Sequence, residues 1–182
     1  GGAAAALAAL AYRNTHYDRS ALRGLAGAGF AEKQAVLPDG ARLNYGEGPA
    51  NGPALLLIHG QMCAWRDYAP ALPALARRFH VFAVDCYGHG KSSFDPAKYT
   101  AVAMGNDLIW LMDNVIQEKA YVSGLSSGGL MAAWLAANAN GRVIGAVLED
   151  PPFFSTEKER CPKAFAWVDG FSMIHAFLNQ KE

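Results

Sequence analysis

Ala120-Tyr121-Val122-Ser123-Gly124-Leu125-Ser126-Ser127-Gly128-Gly129-Leu130-Met131-Ala132 is the stretch on which the fold turns. Ala120 to Ser123 has the length and apolar bias of a strand, and the alanine-rich run from Ser127 to Ala139 reads as a helix. Between them Gly124 and Gly128 stand two residues to either side of Ser126, the G-x-S-x-G spacing. A chain that passes from strand to helix this quickly bends so tightly that side chains at the two flanking positions would collide, and glycine removes the collision. The same bend lifts the Ser126 hydroxyl above the end of the sheet and makes it a candidate nucleophile. Ser123 and Ser127 are the alternatives, but only Ser126 has glycine at both offsets.

Outward from this bend the chain alternates strands and helices. Val143 to Leu148 reads as a further buried strand, and Ala54 to Ile58 is a continuous apolar run that stops at His59-Gly60, as expected of a central strand covered on both faces. Tyr68, Leu72, Leu75, Ala76 and Phe79 keep helical spacing and predict a helix over 68–79, followed by a strand at Val81 to Val84. Met104, Leu108, Leu111, Met112, Val115 and Ile116 form the apolar stripe of a second helix capped near Thr100. Gln34 to Leu37 and Ala41 to Tyr45, joined by Pro38-Asp39-Gly40, form a β-hairpin. The expected class is α/β: a doubly wound, mostly parallel sheet preceded by an antiparallel hairpin. Residues 1–30 are expected to be a helical extension, 31–152 the core, and 153–182 the start of a cap or lid. Trp167, Phe171, Ile174, His175 and Phe177 can form the apolar face of such a cap or of an ordinary packed helix.

Composition narrows the function. A chain of 182 residues with 52% hydrophobic content builds one substantial core. Sixteen basic and sixteen acidic residues cancel, leaving no long-range field to gather nucleic acid or an anionic membrane. Cys63, Cys86 and Cys161 have neither a paired spacing nor a zinc-ligand pattern, so no metal site is indicated, and reduced thiols point to the cytoplasm, with a secreted or periplasmic protein carrying one bridge as the alternative. The small apolar run Gly1 to Ala11 is too short to span a bilayer and reads as a non-membrane helix. Gly24 to Gly29 lacks both a preceding strand and the dinucleotide-binding spacing.

With Ile58-His59-Gly60-Gln61 ending one strand, Asp85-Cys86-Tyr87-Gly88-His89-Gly90-Lys91-Ser92 following the next, and the G-x-S-x-G bend after them, the chain resembles the α/β-hydrolase family over roughly Gln34 to Pro152. The resemblance implies that Ser126 attacks an acyl carbonyl and that the backbone amides of Gln61 and Ser127 stabilise the resulting oxyanion. It implies structural roles near the site for His59, Gly60, Asp85, His89, Gly124 and Gly128, with Asp85 and Ser92 bracing their turn. It implies no cofactor.

Two parts of that machinery are harder to place. Some members of the family carry the catalytic acid just after the sixth strand, where Asp150 stands with Glu149 beside it; Asp150 is equally readable as a solvated strand exit. The family's histidine base follows the eighth strand, and neither His175, His16 nor His80 suits that place, so the base is expected on a longer polypeptide or on a second chain. A serine hydroxyl without a positioned base is a weak nucleophile. The expected activity is hydrolysis of a carboxylic ester or lactone in the full-length protein. Amide or C–C hydrolysis, perhydrolase chemistry and a non-catalytic binding or signalling module remain alternatives. A sheet ending at the sixth strand leaves an apolar edge open to self-association or to a partner chain.

Overall fold

The computed structural model describes residues 2–15, 19–153 and 159–163, together with Ala176 and Asn179. Two helices, α1 (Gly2–Thr15) and α2 (Arg19–Gly27), precede β1 (Ala31–Val36) and β2 (Arg42–Glu47). The core continues through β3 (Ala54–Ile58), the short α3 (Leu72–Leu75), β4 (His80–Val84), α4 (Ala101–Leu111), β5 (Ala120–Leu125), α5 (Ser127–Asn138) and β6 (Val143–Glu149). The six strands lie in the order β1-β2-β4-β3-β5-β6. β1, β2 and β4 pair antiparallel, whereas β3 pairs parallel with both β4 and β5, and β5 pairs parallel with β6. The expected mixed architecture is therefore present, with an antiparallel hairpin attached to a parallel centre.

Every residue of β3 is buried. Alternate side chains enter different cores: Leu56 and Ile58 pack with Leu108, Met112 and Leu135, while Leu55 and Leu57 pack with Leu25, Trp65 and Leu72. A strand apolar on both sides is thus held from both faces, each buried Leu or Ile contributing about 1.5–3 kcal/mol. Leu25 brings α2 onto the second core. No described helix is long and apolar enough to cross a membrane.

Three expected elements differ. The helix over 68–79 is instead a 3₁₀ turn at Trp65–Tyr68 followed by the single turn α3. Pro70 and Pro73 remove two amide donors and so interrupt the hydrogen-bond ladder, although Ala69 keeps helical dihedrals and Ala69, Leu72 and Ala76 are still buried as the spacing demanded. The stripe after Thr100 is helical throughout, with the Thr100 hydroxyl accepting from the Ala103 amide, but its last turn, Met112–Ile116, is a π-turn closed by the Gln117 amide on Met112 O. β6 is a correction to the expected buried strand: Ile144, Val147 and Leu148 are 47%, 59% and 40% exposed. It is the last strand of the sheet and has no strand partner on its outer edge among the described residues, and an apolar run alone does not distinguish a covered strand from an edge strand.

A polar network that crosses strands fixes the hairpin to the loops of the site. Glu32 on β1 accepts from Trp65 Nε1 at 3.1 Å, Asn44 Nδ2 at 3.2 Å, Arg66 at 2.9 Å and Lys91 Nζ at 2.5 Å. Burial alone would push this carboxyl up, but the bonds from Lys91, Trp65 and Asn44 and the Arg66 charge outweigh it and hold the group at about 2. A carboxyl lowered on folding stabilises the native state above its unfolded value, near 4.5, and loses that contribution as pH falls towards 2. Chemical denaturation at successive pH values should therefore show stability falling over this window. In Glu32→Gln stability should be lower at neutral pH and the acid fall shallower; an unchanged acid limb would contradict the network's role.

Candidate active site

The bend after β5 has the geometry that the sequence demanded. Ser126 has φ 54° and ψ −116°, outside the regions that residues with a Cβ normally occupy. β5 continues to pair with β6 through Leu125 opposite Glu149, two residues beyond the expected strand end, so the turn is confined to Ser126 itself. The Ser126 amide then donates to Glu149 O at 2.7 Å, and the Ser126 carbonyl accepts the Gly129 amide at 2.9 Å, which starts α5 at once.

The glycines have physical reasons. A Cβ on Gly124 would lie 2.0 Å from Gly128 O, and one on Gly128 would lie 2.1 Å from Ile58 O. Both contacts are with backbone, which cannot swing aside. A Cβ on Gly60 would lie 3.3 Å from Ser126 Cβ, so the loop after β3 abuts the serine turn directly. Strand, loop and helix N-terminus are thus compressed around Ser126, which is only partly exposed.

Gln61 and Ser127 face one cavity of about 710 Å³. Neither backbone amide has a hydrogen-bond partner among the described residues. Ser127 opens α5, where the first amides of a helix are left without internal acceptors. Ser126 is not itself among the residues of the cavity wall; its neighbour Ser127 is.

His59 and His89 hold the loops. The buried His59 accepts the Cys86 amide on Nε2 at 2.9 Å, so its proton sits on Nδ1, which donates to Gly60 O at 2.7 Å. Burial, helped by the nearby His89, holds its pKa below the usual imidazole value. His89 accepts the Met62 amide on Nε2 at 3.1 Å and donates from Nδ1 to Tyr87 O at 3.0 Å. The two rings lie 5.1 Å apart. His80, at the other end of β4, contacts Glu47 at 3.2 Å. His16 and His175 lie outside the described residues, as do Trp167, Phe171, Ile174, Phe177 and most of the expected cap. No described histidine has both the position and a free ring nitrogen to serve Ser126.

Asp85 is buried and braced from three sides, accepting the Trp65 amide at 2.7 Å, Asn44 Nδ2 at 2.7 Å and the Lys91 amide at 3.0 Å. The Ser92 hydroxyl donates to Asp85 O and accepts the Asn44 amide. Glu149 and Asp150 behave differently. The Glu149 carboxylate accepts the Ser123 hydroxyl at 2.5 Å, whereas Asp150 is exposed at φ 48° with no partner for its carboxylate among the described residues. The sequence reading missed the Ser123–Glu149 pair and Tyr68, whose hydroxyl donates to Ile58 O at 3.0 Å; only strand register brings these groups together. Among the described residues no three His, Cys, Asp or Glu side chains gather so as to hold a metal ion.

A family model described as alpha/beta hydrolase fold matches residues 53–179. The dihydrolipoyllysine-residue acetyltransferase component of the acetoin cleaving system of Cupriavidus necator is 35% identical over 116 residues, covering 64% of this chain and 31% of its own length. The 3-oxoadipate enol-lactonase 1 of Acinetobacter baylyi is 34% identical over 89 residues, covering 48% of this chain and 33% of its own. The crystal structure of a hydrolase from Pseudomonas aeruginosa superposes with a TM-score of 0.63 at 35% identity, covering 66% of this chain and 46% of that one. The chain spans about a third of the length of these two curated relatives.

Proposed function

The chain belongs to the alpha/beta hydrolase fold family, and from that premise we propose that the full-length protein hydrolyses a carboxylic ester or lactone through an acyl-Ser126 intermediate. The observation that carries this reading is the backbone of Ser126, held at φ 54° between two glycines that have no room for a side chain. Strain of this kind persists only where the surrounding structure enforces it, and a turn that presents a nucleophile at a strand end is one place where it does. In the proposed reaction Ser126 Oγ bonds to the carbonyl carbon while its proton passes to a base. The carbonyl oxygen takes the negative charge and accepts from the unspent amides of Gln61 and Ser127. Collapse expels the alcohol, which takes up the proton, and water then releases the acid and restores the serine. Of the two carboxylates after β6, Glu149 is committed to Ser123, which leaves Asp150 as the candidate to orient a base.

The commitment of every described site histidine to loop structure favours a second reading, a binding or signalling module that holds a small ligand without turnover. A fluorophosphonate probe separates the two. The full-length protein should label at Ser126, identified by peptide mass, and Ser126→Ala should not label; an unlabelled, folded full-length protein would favour the binding module. The free thiols Cys63 and Cys86 favour a reducing compartment such as the cytoplasm. The open edge of β6 is the proposed place for self-association or a partner strand.

A further inference from the structure

Beyond the two amides of Gln61 and Ser127, the described wall of the cavity that these residues border is mostly apolar and holds no unpaired charge. Phe94, Met104, Leu130 and Met131 supply its apolar wall, and Phe94 meets Tyr99 edge to face with centroids 5.8 Å apart. Phe94 is 81% exposed, so the aromatic pair presents apolar surface to an arriving group. Lys98, the one lysine in the wall among the described residues, is not free to receive a carboxylate. Its Nζ donates to Asp107 at 2.8 Å and also contacts Asp39, so two carboxylates answer one cation. The Tyr87 hydroxyl donates to the same Asp107 oxygen atom at 2.8 Å. His89 is engaged at both ring nitrogens, and the Thr100 hydroxyl is spent capping α4. Burial, with the Asp85 charge, pushes the Cys86 thiol up to about 12, which keeps it neutral.

Resting on the acyl-serine reading above, we infer that this cavity receives the acyl portion of the substrate and that this portion is uncharged and apolar, a medium alkyl chain or an aryl group. A volume of about 710 Å³ holds such a group with room to spare. Among the described residues the wall offers methylene and aromatic carbon to a chain and no unpaired cation to a carboxylate. An acyl group ending in a carboxylate would be desolvated beside an over-neutralised lysine and rejected.

The test uses the full-length protein with p-nitrophenyl esters from acetyl to octanoyl, a carboxylate-ended acyl ester of matched length, and acetates of alcohols of increasing length. The matching p-nitrophenyl alkylphosphonates, which inactivate the serine, give a second readout that needs no turnover. Each methylene buried in the cavity should raise kcat/KM or the inactivation rate about fourfold until the cavity fills. Butanoyl should therefore exceed acetyl about fifteenfold, and the carboxylate-ended ester should fall at least about tenfold below its neutral match. Met131→Trp should move the optimum to shorter chains, and Phe94→Ala, at an exposed position that tolerates replacement, should flatten the gain. A flat acyl series, a preference for the carboxylate, or a gain seen only in the alcohol series overturns the acyl-cavity assignment and leaves the serine reading intact. Hydrolysis and inactivation that persist in Ser126→Ala, or are absent throughout, overturn both.

Discussion

Ser126→Gly is expected to abolish hydrolysis by the full-length protein and, in the same molecule, to raise its stability. Loss of a nucleophilic serine typically costs at least about 10⁴-fold in kcat. The stability gain comes from the backbone. Ser126 sits at φ 54° and ψ −116°, where a Cβ costs about 1–3 kcal/mol, and glycine carries no such penalty. Part of the relief is offset by the greater freedom of glycine in the unfolded chain, about 0.4–1 kcal/mol. A net gain of about 1 kcal/mol remains, which raises Tm by about 2–4 °C in a domain of this size. Ser126→Ala is the control, because it loses the hydroxyl and keeps the Cβ. It should be as inactive as Ser126→Gly and melt close to the parent. Thermal melts beside steady-state ester hydrolysis decide the matter: if glycine and alanine melt alike, the bend at Ser126 stores no strain.

This coupling of activity to strain explains why the bend was legible in the sequence. Gly124, Ser126 and Gly128 lie within five residues of chain, and their spacing reports a local steric problem that has few solutions. The continuous apolar run of β3, the Pro-Asp-Gly hairpin and the stripe after Thr100 were legible for the same reason, since each is a local pattern with a local cause. The helix over 68–79 was misread because burial spacing and hydrogen-bond continuity are separate demands: Leu72 and Ala76 satisfy the first, while Pro70 and Pro73 prevent the second. β6 was misread for the opposite reason. Ile144, Val147 and Leu148 have the composition of a covered strand, and whether a strand is covered depends on elements elsewhere in the chain. The Asn44–Asp85 bond and the four donors around Glu32 join residues far apart in sequence, so no window of residues contains them. What the sequence pattern could not order was the pair of carboxylates after β6, because only the register of β5 against β6 sets Ser123 beside Glu149 and leaves Asp150 outside.

One substitution, glycine to alanine, should have opposite signs at two places. Gly128→Ala would put a methyl group 2.1 Å from Ile58 O and 2.6 Å from His59 O. Ile58 belongs to the fully buried central strand, paired on one side with Val84 and on the other with Gly124. It can retreat only by carrying β3 and the loop of Gln61 with it. Overpacking a core costs about 1–3 kcal/mol where side chains can adjust; here the obstacle is backbone on both sides, so a loss of at least about 3 kcal/mol is expected. Any folded fraction should have Gln61 and Ser127 moved apart and should label slowly with a fluorophosphonate. Gly24→Ala, in the exposed face of α2, meets nothing within 4 Å and replaces the poorest non-proline helix former with the best. It should stabilise by about 0.5–1 kcal/mol. Urea unfolding of the two variants measures both effects on one scale. A Gly128→Ala protein as stable as its parent would mean that the helix does not press against the end of β3, and with that contact would go the geometry that holds the serine turn closed.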